Sequence, residues 1–163
     1  MRTLILALLI AVASTTASAA DLEANKRLYR DFLETVINQR QPDAADRFVA
    51  DGLIEHNPNI RAAGRKQFLA NVLAGFSDYR GEIQEILAEG DKIVVRTLWT
   101  GTQDGPFLGL PPSGRKLQFT TADFFRIENG KLAEHWDVVD SLPRAVALGL
   151  VPPPKSPTQA APK

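Results

Sequence analysis

Cysteine is absent from the 163-residue chain. Without a thiol, the protein can form no disulfide, no thiolate metal site and no cysteine nucleophile. An excess of charge is absent as well, because 19 basic side chains balance 19 acidic ones, and no basic block occurs. We therefore expect neither nucleic acid nor an anionic membrane surface as a partner.

Common catalytic motifs are also missing from the sequence. It contains no serine-nucleophile signature, no phosphate-binding loop and no dinucleotide fingerprint. Its two histidines, with Asp123 and Asp137, could supply ligands to a divalent metal. Their spacing is not that of a compact metal motif, so the sequence predicts no metal site.

The two ends of the chain differ from its middle. Residues 1–19 are predicted to be a secretory signal peptide, with Arg2 as the basic end, an apolar core at 4–12 and Ala-Ser-Ala at 17–19. Cleavage is expected before Ala20, which predicts a periplasmic or secreted protein without a membrane partner. Residues 20–150 are predicted to be one domain, and the proline-rich residues 151–163 a disordered tail.

Hydrophobic periodicity changes once along the domain. Helical spacing covers residues 22–40, a second helix begins at Pro42 and ends at Asp51-Gly52, and a third follows Gly64. A short extended segment at 53–57 stops at Pro58. Strand patterns then occupy 82–89, 92–100, 115–128 and 131–139, before a helical turn at 142–148. Helices followed by an antiparallel meander predict an α+β fold.

Ionisable side chains lie within the apolar hairpin predicted for residues 122–139. An Asn-Gly pair, typical of a tight hairpin turn, separates its two strands. The ionisable members are Asp123, Arg126, Glu134, His135 and Asp137. A carboxylate among apolar side chains is costly to ionise unless it is paired or exposed, and a pocket for acid–base chemistry needs such groups. A solvated face of an ordinary hairpin would show the same pattern.

The register of this hairpin decides which of these side chains share a face. A two-residue Asn-Gly turn would pair Asp123 with Trp136 and place Asp137 on the opposite face. A three-residue loop with a bulge would pair Asp123 with His135, with Asp137 next along that face beside Phe125. The second register would send to the other face Arg126, Glu134 and Trp136. We predict the three-residue loop, since only this register assembles an acidic pocket.

Three segments occur in the order and spacing of a known family. They are Leu-Ile-Glu-His-Asn-Pro at 53–58, Gly-Leu-Pro-Pro-Ser-Gly-Arg at 109–115, and the hairpin at 123–137. Together they resemble the SnoaL-like polyketide cyclases, or ester cyclases, of the nuclear transport factor 2-like superfamily. The resemblance implies a conical α+β barrel, in which N-terminal helices pack on a strongly curved antiparallel sheet around an apolar pocket. It also implies aldol-type ring closure without metal or cofactor.

The resemblance assigns the acid–base role to one aspartate, which its motif places at Asp137. Characterised cyclases carry a histidine where this chain has Asp123, so two acids would face one pocket. Such a pair suits proton shuttling but changes which group donates. His135 lies on the same side of its strand as Asp137 and could orient it or polarise a carbonyl. Asp137, Asp123 and His135 are the predicted catalytic residues; a structural aspartate and a hydrogen-bonded core histidine are the alternatives.

The predicted pocket wall is mainly aromatic, with one histidine at its mouth. Its candidate members are Tyr29, His56, Trp99, Phe107, Phe119 and Phe125. The expected ligand is a small, largely apolar carbonyl compound. An acid–base enzyme of the cyclase, isomerase or hydratase type is the favoured function, and a non-catalytic hydrophobic-ligand binding module is the alternative. A homodimer or larger homo-oligomer could form through the sheet.

Overall fold

The computed structural model describes residues 18–154. The first 17 residues of the predicted signal peptide and residues 155–163 of the predicted tail lie outside the described residues. The helices are α1 (Ala19–Phe32), α2 (Pro58–Ala63), α3 (Arg65–Gly75) and α4 (Ser141–Ala147). The strands are β1 (Val49–Glu55), β2 (Arg80–Glu89), β3 (Lys92–Thr102), β4 (Lys116–Glu128) and β5 (Lys131–Val139). No helix within 18–154 has the length and apolar character needed to span a membrane.

The first helix begins at a capping box. Ser18 Oγ accepts a hydrogen bond from the Asp21 amide at 3.2 Å, and Asp21 Oδ2 accepts one from the Ser18 amide at 3.0 Å. After Phe32 the helix continues as a π-helical segment, Leu33–Asn38. The single helix predicted for residues 22–40 therefore nearly matches the observed helical stretch, although the last part of that stretch is a π-helix and not an α-helix. The buried residues of this helical stretch are Tyr29, Phe32, Leu33, Val36 and Ile37.

The next segment is less helical than predicted. Pro42–Arg47 forms a 3₁₀-helix, and β1 already begins at Val49. Residues 51–52, predicted to end the helix, therefore lie within a strand. The Leu132 amide donates to the Phe48 carbonyl at 2.8 Å, which joins this segment to β5. Pairing with a distant strand overrides the local helical signal.

Helix α2 has no counterpart in the sequence analysis, which treated Pro58 only as the end of a strand. Asn57 is its N-cap, because Oδ1 accepts from the amides of Asn59 at 2.9 Å and Ile60 at 3.4 Å. Pro58 occupies the first helical position, where the missing N–H costs nothing. The Asn-Pro pair is thus a helix start, and it holds the Asn57 side chain beside the sheet.

The five strands form one sheet in the order β1-β5-β4-β3-β2. The predicted α+β class is confirmed, and three of the pairings are antiparallel. The expectation of a wholly antiparallel sheet is wrong for β1, which runs parallel to β5 and places Glu55 beside His135. Because β1 and β2 are its two edges, the sheet remains open over residues 18–154.

The hairpin between β4 and β5 has a two-residue turn, so the predicted three-residue loop is wrong. Asn129 and Gly130 have φ angles of 52° and 72°, as a type I′ turn requires. Glu128 pairs with Lys131. The register then shifts, since Ile127 pairs with Leu132 but Arg126 pairs with Glu134. The residue left unpaired is Ala133, which forms a bulge within β5.

The bulge at Ala133 produces the predicted faces by a different route. Beyond the bulge, each residue of β4 pairs with the β5 residue one position later than the tight turn alone would give. Asp123 therefore lies directly opposite Asp137, and Phe125 lies opposite His135. All four side chains line the inner cavity described below. On the opposite face lie Arg126, Glu134 and Trp136.

Two apolar clusters hold the helices on the sheet. The larger joins α1 and its π-helical extension to β3, β4 and β5. The smaller is built on Phe76, Leu117, Phe119 and Leu148. At the junction of β2 and β3, a Cβ on Gly81 would lie 2.6 Å from Trp99 Cζ3 and 2.8 Å from Leu33 Cδ1. Only glycine admits this approach, which seats the Trp99 ring against the helix.

Candidate active site

A cavity of about 110 Å³ lies between the helices and the inner face of the sheet. Its wall is mostly apolar, and its aromatic members are Tyr29, Phe32, Phe68, Tyr79, Trp99, Phe119 and Phe125. Polar side chains converge on one side and are Asn57, Arg65, Thr121, Asp123, His135, Asp137 and Arg144. An apolar cavity with a few convergent polar groups is typical of a small-molecule site.

His135 lies between two carboxylates. Its Nδ1 is 2.7 Å from Glu55 Oε1, and its Nε2 is 3.2 Å from Asp123 Oδ1. Only a ring protonated on both nitrogens can donate to both acceptors. Burial by itself lowers the pKa of His135, but the bonds to Asp123 and Glu55 outweigh it and raise the pKa above its ordinary value. With 2% of its side chain exposed, His135 is buried between two carboxylates, an arrangement that favours the imidazolium form.

Glu55 anchors this arrangement from β1. Its Oε2 pairs with the Arg65 guanidinium, and its Oε1 also accepts from the Asn57 amide at 2.9 Å. Burial raises the pKa of Glu55, but His135 and Arg65 lower it further, so the net shift is downward. Arg65 lies over the Phe125 ring at 5.8 Å, and that ring stacks on His135 at 4.5 Å. The charged groups are therefore packed between apolar surfaces as well as paired.

The two aspartates differ in how many of their oxygens are occupied. Asp123 is buried, its Oδ1 faces His135, and its Oδ2 accepts from the Thr121 hydroxyl at 2.5 Å. Thr121 in turn accepts from Trp99 Nε1 at 2.8 Å. Asp137 Oδ2 accepts from Asn57 Nδ2 at 2.6 Å, whereas its Oδ1 has no hydrogen-bond partner among residues 18–154. Asp137 thus presents a free carboxylate oxygen beside the cavity.

The phenols of Tyr29, which is buried, and Tyr79, which is half-buried, remain protonated. Burial, followed by the nearby Asp123 carboxylate, raises the pKa of both Tyr29 and Tyr79 above the ordinary value. Tyr79 stacks on Trp99, with ring centroids 5.3 Å apart and planes inclined by 10°. Its hydroxyl makes no hydrogen bond to the described part of the chain and is available as a donor.

Three side chains could supply ligands to a metal ion. Ligand atoms of Asp123, His135 and Asp137 lie within 4.8 Å of one another. Metal binding through His135 would require loss of the Nε2 proton and of the bond to Asp123. The doubly paired imidazolium therefore opposes metal binding at this position, and the expectation of a metal-free site stays a prediction.

Residues 27–148 match the family model for SnoaL-like polyketide cyclases. The chain belongs to the SnoaL-like polyketide cyclase family. A comparison with curated proteins gave no match.

Solved structures share the fold of this SnoaL-like protein. TsrD from Streptomyces laurentii is 30% identical, with 83% of this chain and 99% of that chain covered and a TM-score of 0.69. AclR, a candidate hydroxylase from Streptomyces galilaeus, is 24% identical, with 84% and 87% covered and a TM-score of 0.74. A SnoaL-like polyketide cyclase from Agrobacterium tumefaciens is 24% identical, with 77% and 95% covered and a TM-score of 0.63.

Most of the predicted site residues of this SnoaL-like chain meet at the cavity. The three predicted catalytic residues, Asp123, His135 and Asp137, line it together. Of the predicted wall residues, those that line it are Tyr29, Trp99, Phe119 and Phe125. The structure thus brings these side chains together, while their roles stay predictions.

Two predicted pocket residues lie outside the cavity. His56 stacks on Trp136 at 4.8 Å and contacts Glu134 Oε1 at 2.9 Å, at a shallow outer depression. Successive side chains of a strand alternate between its two faces, so the His56 ring lies on the outer face because Glu55 faces His135 on the inner one. Phe107 packs on Phe76 at 5.0 Å and lines a separate surface hollow beside α3.

Sequence reasoning missed several polar members of the SnoaL-like site. They are Glu55, Asn57, Arg65, Tyr79, Thr121 and Arg144. Asn57 had a local signal, since an asparagine before proline is a common helix N-cap. Thr121 also had one, because it lies two residues before Asp123 on the same strand face. Glu55 had none, because its position beside His135 depends on the parallel pairing of β1 with β5.

Proposed function

We propose that this protein binds a small, largely apolar carbonyl compound in the cavity and catalyses a cofactor-independent acid–base reaction on it. The reaction would be an aldol-type cyclisation, an isomerisation or a hydration. The free Oδ1 of Asp137, beside an aromatic cavity wall, is the observation that carries the proposal. The related SnoaL-like polyketide cyclase structure supports the same class of chemistry.

Asp137 is the proposed general base and acid. Its Oδ1 would take a proton from the carbon next to the ligand carbonyl, which leaves an enolate. In a cyclisation, the enolate carbon would then form a bond to a second carbonyl carbon. The alkoxide produced would recover the proton from Asp137. The Asn57 amide holds Oδ2 and so aims the other oxygen at the ligand.

Asp123 and His135 are better suited to positioning than to proton transfer. Both Asp123 oxygens and both His135 nitrogens are engaged within the network. Their charges are opposite and neutralise each other. The pair therefore forms a rigid, fully hydrogen-bonded base beside Asp137. The resemblance to characterised cyclases implies a histidine at the position of Asp123, and in this chain the imidazole of His135 lies against Asp123 from the neighbouring strand.

Tyr79 is the proposed donor to the ligand's carbonyl oxygen. Its raised pKa keeps the phenol protonated, and it lines the cavity together with Asp137. A hydrogen bond from the phenol would stabilise the negative charge that develops on the oxygen when the enolate forms.

The cavity volume limits the size of the buried part of the ligand. About 110 Å³ is less than the roughly 300–1,000 Å³ of pockets for drug-sized ligands. It is closer to the roughly 150 Å³ of an engineered cavity that binds benzene. The buried part of the ligand is therefore expected to be about one ring in size.

A non-catalytic binding module is the second candidate. The mutual satisfaction of Glu55, Asp123 and His135 favours it, because a site that only binds needs a stable polar floor and no free acid. In that case Asp137 would serve only to hold Asn57 and the start of α2.

Proton exchange on a simple ketone separates the two candidates. Acetophenone in D₂O, followed by NMR, reports proton removal next to a carbonyl without knowledge of the natural substrate. If the protein is an enzyme, Asp137→Asn should slow this proton exchange by roughly a hundredfold or more, because a general base is lost. The amide oxygen can still accept from Asn57, so ligand affinity should change little. Asp51→Asn, an exposed aspartate on β1, is the matched control.

Two outcomes decide the matter. Exchange that the wild-type protein accelerates and Asp137→Asn does not supports the enzyme. Binding of acetophenone by both proteins, with exchange no faster than in buffer, rejects the enzyme and favours the binding module.

We also propose that the protein is exported to the periplasm or secreted. The basic, apolar and Ala-Ser-Ala parts of residues 1–19 support this. Cleavage before Ala20 would remove Ser18 and with it the capping box of α1. Helix-cap loss typically costs about 1 kcal/mol, which a core of this size tolerates.

Self-association through the outer face of the sheet is a further proposal. Leu87, Phe124 and Val138 are exposed there. If they form the interface, Phe124→Lys should lower the molar mass measured by light scattering. A wild-type protein that is already monomeric at high concentration would reject the proposal.

A further inference from the structure

Two hollows meet at the mouth of the site. The inner cavity of about 110 Å³ and an outer depression of about 400 Å³ share the residues Asn57, Asp137, Val139 and Arg144. A ligand that reaches the cavity by this route passes between the start of α2 and helix α4. The part of the ligand that remains outside the cavity therefore lies against Arg144.

Arg144 has no acidic partner in the part of the chain that the structure describes. Within residues 18–154 its guanidinium forms no salt bridge, and no side-chain hydrogen bond from it is present. It is half-buried, with its Cζ 5.6 Å from the centre of the Phe119 ring. The other arginine of the cavity, Arg65, is paired with Glu55. Arg144 is thus held against an aromatic ring, and its hydrogen-bond donors have no partner among the described residues.

We propose that Arg144 binds a carboxylate of the ligand, so that the ligand is a small oxo acid with an apolar end. The proposal rests on the proposed function, since it assumes that a carbonyl compound enters the cavity. The apolar end occupies the aromatic cavity, the carbonyl lies beside Asp137, and the carboxylate remains at the mouth. Arg144 then determines specificity and takes no part in proton transfer.

The chemistry of guanidinium fits this role. Arginine presents a planar set of donors that matches the two oxygens of a carboxylate. Asp123 and Asp137 would repel an anionic ligand unless a cation compensated for their charge. Arg65 and His135 cannot do so, because Glu55 and Asp123 already neutralise them. The charge of Arg144 is also felt inside the cavity. Burial raises the pKa of Tyr79, and Arg144 acts against that rise.

Binding of a matched acid and ester tests the inference. The probes are 4-oxo-4-phenylbutanoate and its methyl ester, which share the ring and ketone and differ in the charge and in one methyl group. We expect the wild-type protein to bind the acid about tenfold or more tightly than the ester, as expected for a hydrogen-bonded charge pair. Calorimetric titration measures both affinities, and the preference should weaken at high salt.

Three variants isolate the contribution of Arg144. Arg144→Gln should remove the preference for the acid and leave ester affinity nearly unchanged. Arg144→Lys, which keeps the charge but not the planar donors, should retain part of the preference. Arg47→Gln is the matched control, because Arg47 also lies over a phenylalanine, Phe48, at 5.2 Å but away from the cavity.

Each remaining outcome overturns the inference. Equal affinity of the wild-type protein for acid and ester rejects it and leaves the proposed function intact. A preference for the acid that survives Arg144→Gln assigns the carboxylate to another cation and also rejects it. If the wild-type protein binds neither probe, the inference fails together with the proposed carbonyl ligand.

Discussion

The buried ion pairs of Glu55 provide the sharpest test of the site's energetics. Glu55→Gln keeps the shape of the side chain but removes the charge that faces Arg65 and His135. The side chains of these three residues are 7%, 13% and 2% exposed, so the interaction is poorly screened. Removing one partner of a buried ion pair costs about 3–5 kcal/mol. The glutamine oxygen can still accept one hydrogen bond, so we expect the lower end, about 3 kcal/mol.

Unfolding in urea, followed by fluorescence of Trp99 and Trp136, measures this loss. About 3 kcal/mol corresponds to roughly 10 °C in the melting temperature of a domain of this size. Glu85→Gln is the matched control, because Glu85 faces Arg96 at 3.8 Å with both side chains more than half exposed. An exposed pair contributes about 0–1 kcal/mol. If both variants lose the same stability, the buried network contributes no more than a surface pair and the reasoning is refuted.

The pH dependence of the free energy of unfolding tests the same ion pairs in a second way. The pKa of His135 is raised in the folded state, so its stabilisation is complete below its ordinary pKa of 6.5 and is lost as pH rises through the folded value. The pKa of Glu55 is lowered, so its contribution is complete above 4.5 and is lost as pH falls through the folded value. Wild-type stability should therefore be highest between these values, and Glu55→Gln should flatten both flanks. A wild-type profile that is level from pH 6 to 9 would contradict the assignment for His135.

Three further outcomes are expected. Gly81→Ala should cost about 1–3 kcal/mol of unfolding free energy, because its methyl group would overlap the Trp99 ring, whereas Gly52→Ala, which meets no atom within 4 Å, should cost little. Tyr79→Phe should slow ketone proton exchange by about a hundredfold or more at unchanged melting temperature, and an unchanged rate would exclude the phenol as the carbonyl donor. N-terminal sequencing of protein from the native host should begin at Ala20, and recovery of the intact N-terminus would reject export.

Elements with strong local patterns were predictable from the sequence. Every end of β2, β3, β4 and β5 lies within two residues of its predicted position. The structure buries alternate residues of β4, which agrees with the two faces that the sequence analysis assigned to this strand. Where the local signal was ambiguous, at residues 48–52 and at Asn57-Pro58, the prediction was wrong because tertiary pairing and helix capping decided the conformation.

The hairpin shows why a correct face does not require a correct register. The Asn-Gly pair favours a type I′ turn, and the structure has one. The predicted register had a third residue in the loop, which would place Asp123, His135 and Asp137 on one face. The structure places the extra residue at Ala133 inside β5. One added residue anywhere between the turn and the site moves every later side chain of the second strand to the opposite face of the sheet. The set of residues that share a face could therefore be predicted, but the position of the bulge could not.

By itself the sequence determined the α+β class, the family and the amphipathic strands, because each follows from residue types and their spacing along the chain. That Asp123, His135 and Asp137 share one face was predicted from the chemistry that such a site needs. Tertiary structure decided which groups hold those side chains. Glu55 reaches His135 across 80 residues only because β1 pairs parallel to β5, and Asn57 reaches Asp137 because α2 begins there. It also turned His56 outward and set Arg144 at the mouth. Contacts between distant segments leave no periodic pattern in the sequence of either one, so the bond from Asn57 that leaves only one Asp137 oxygen free could not be predicted.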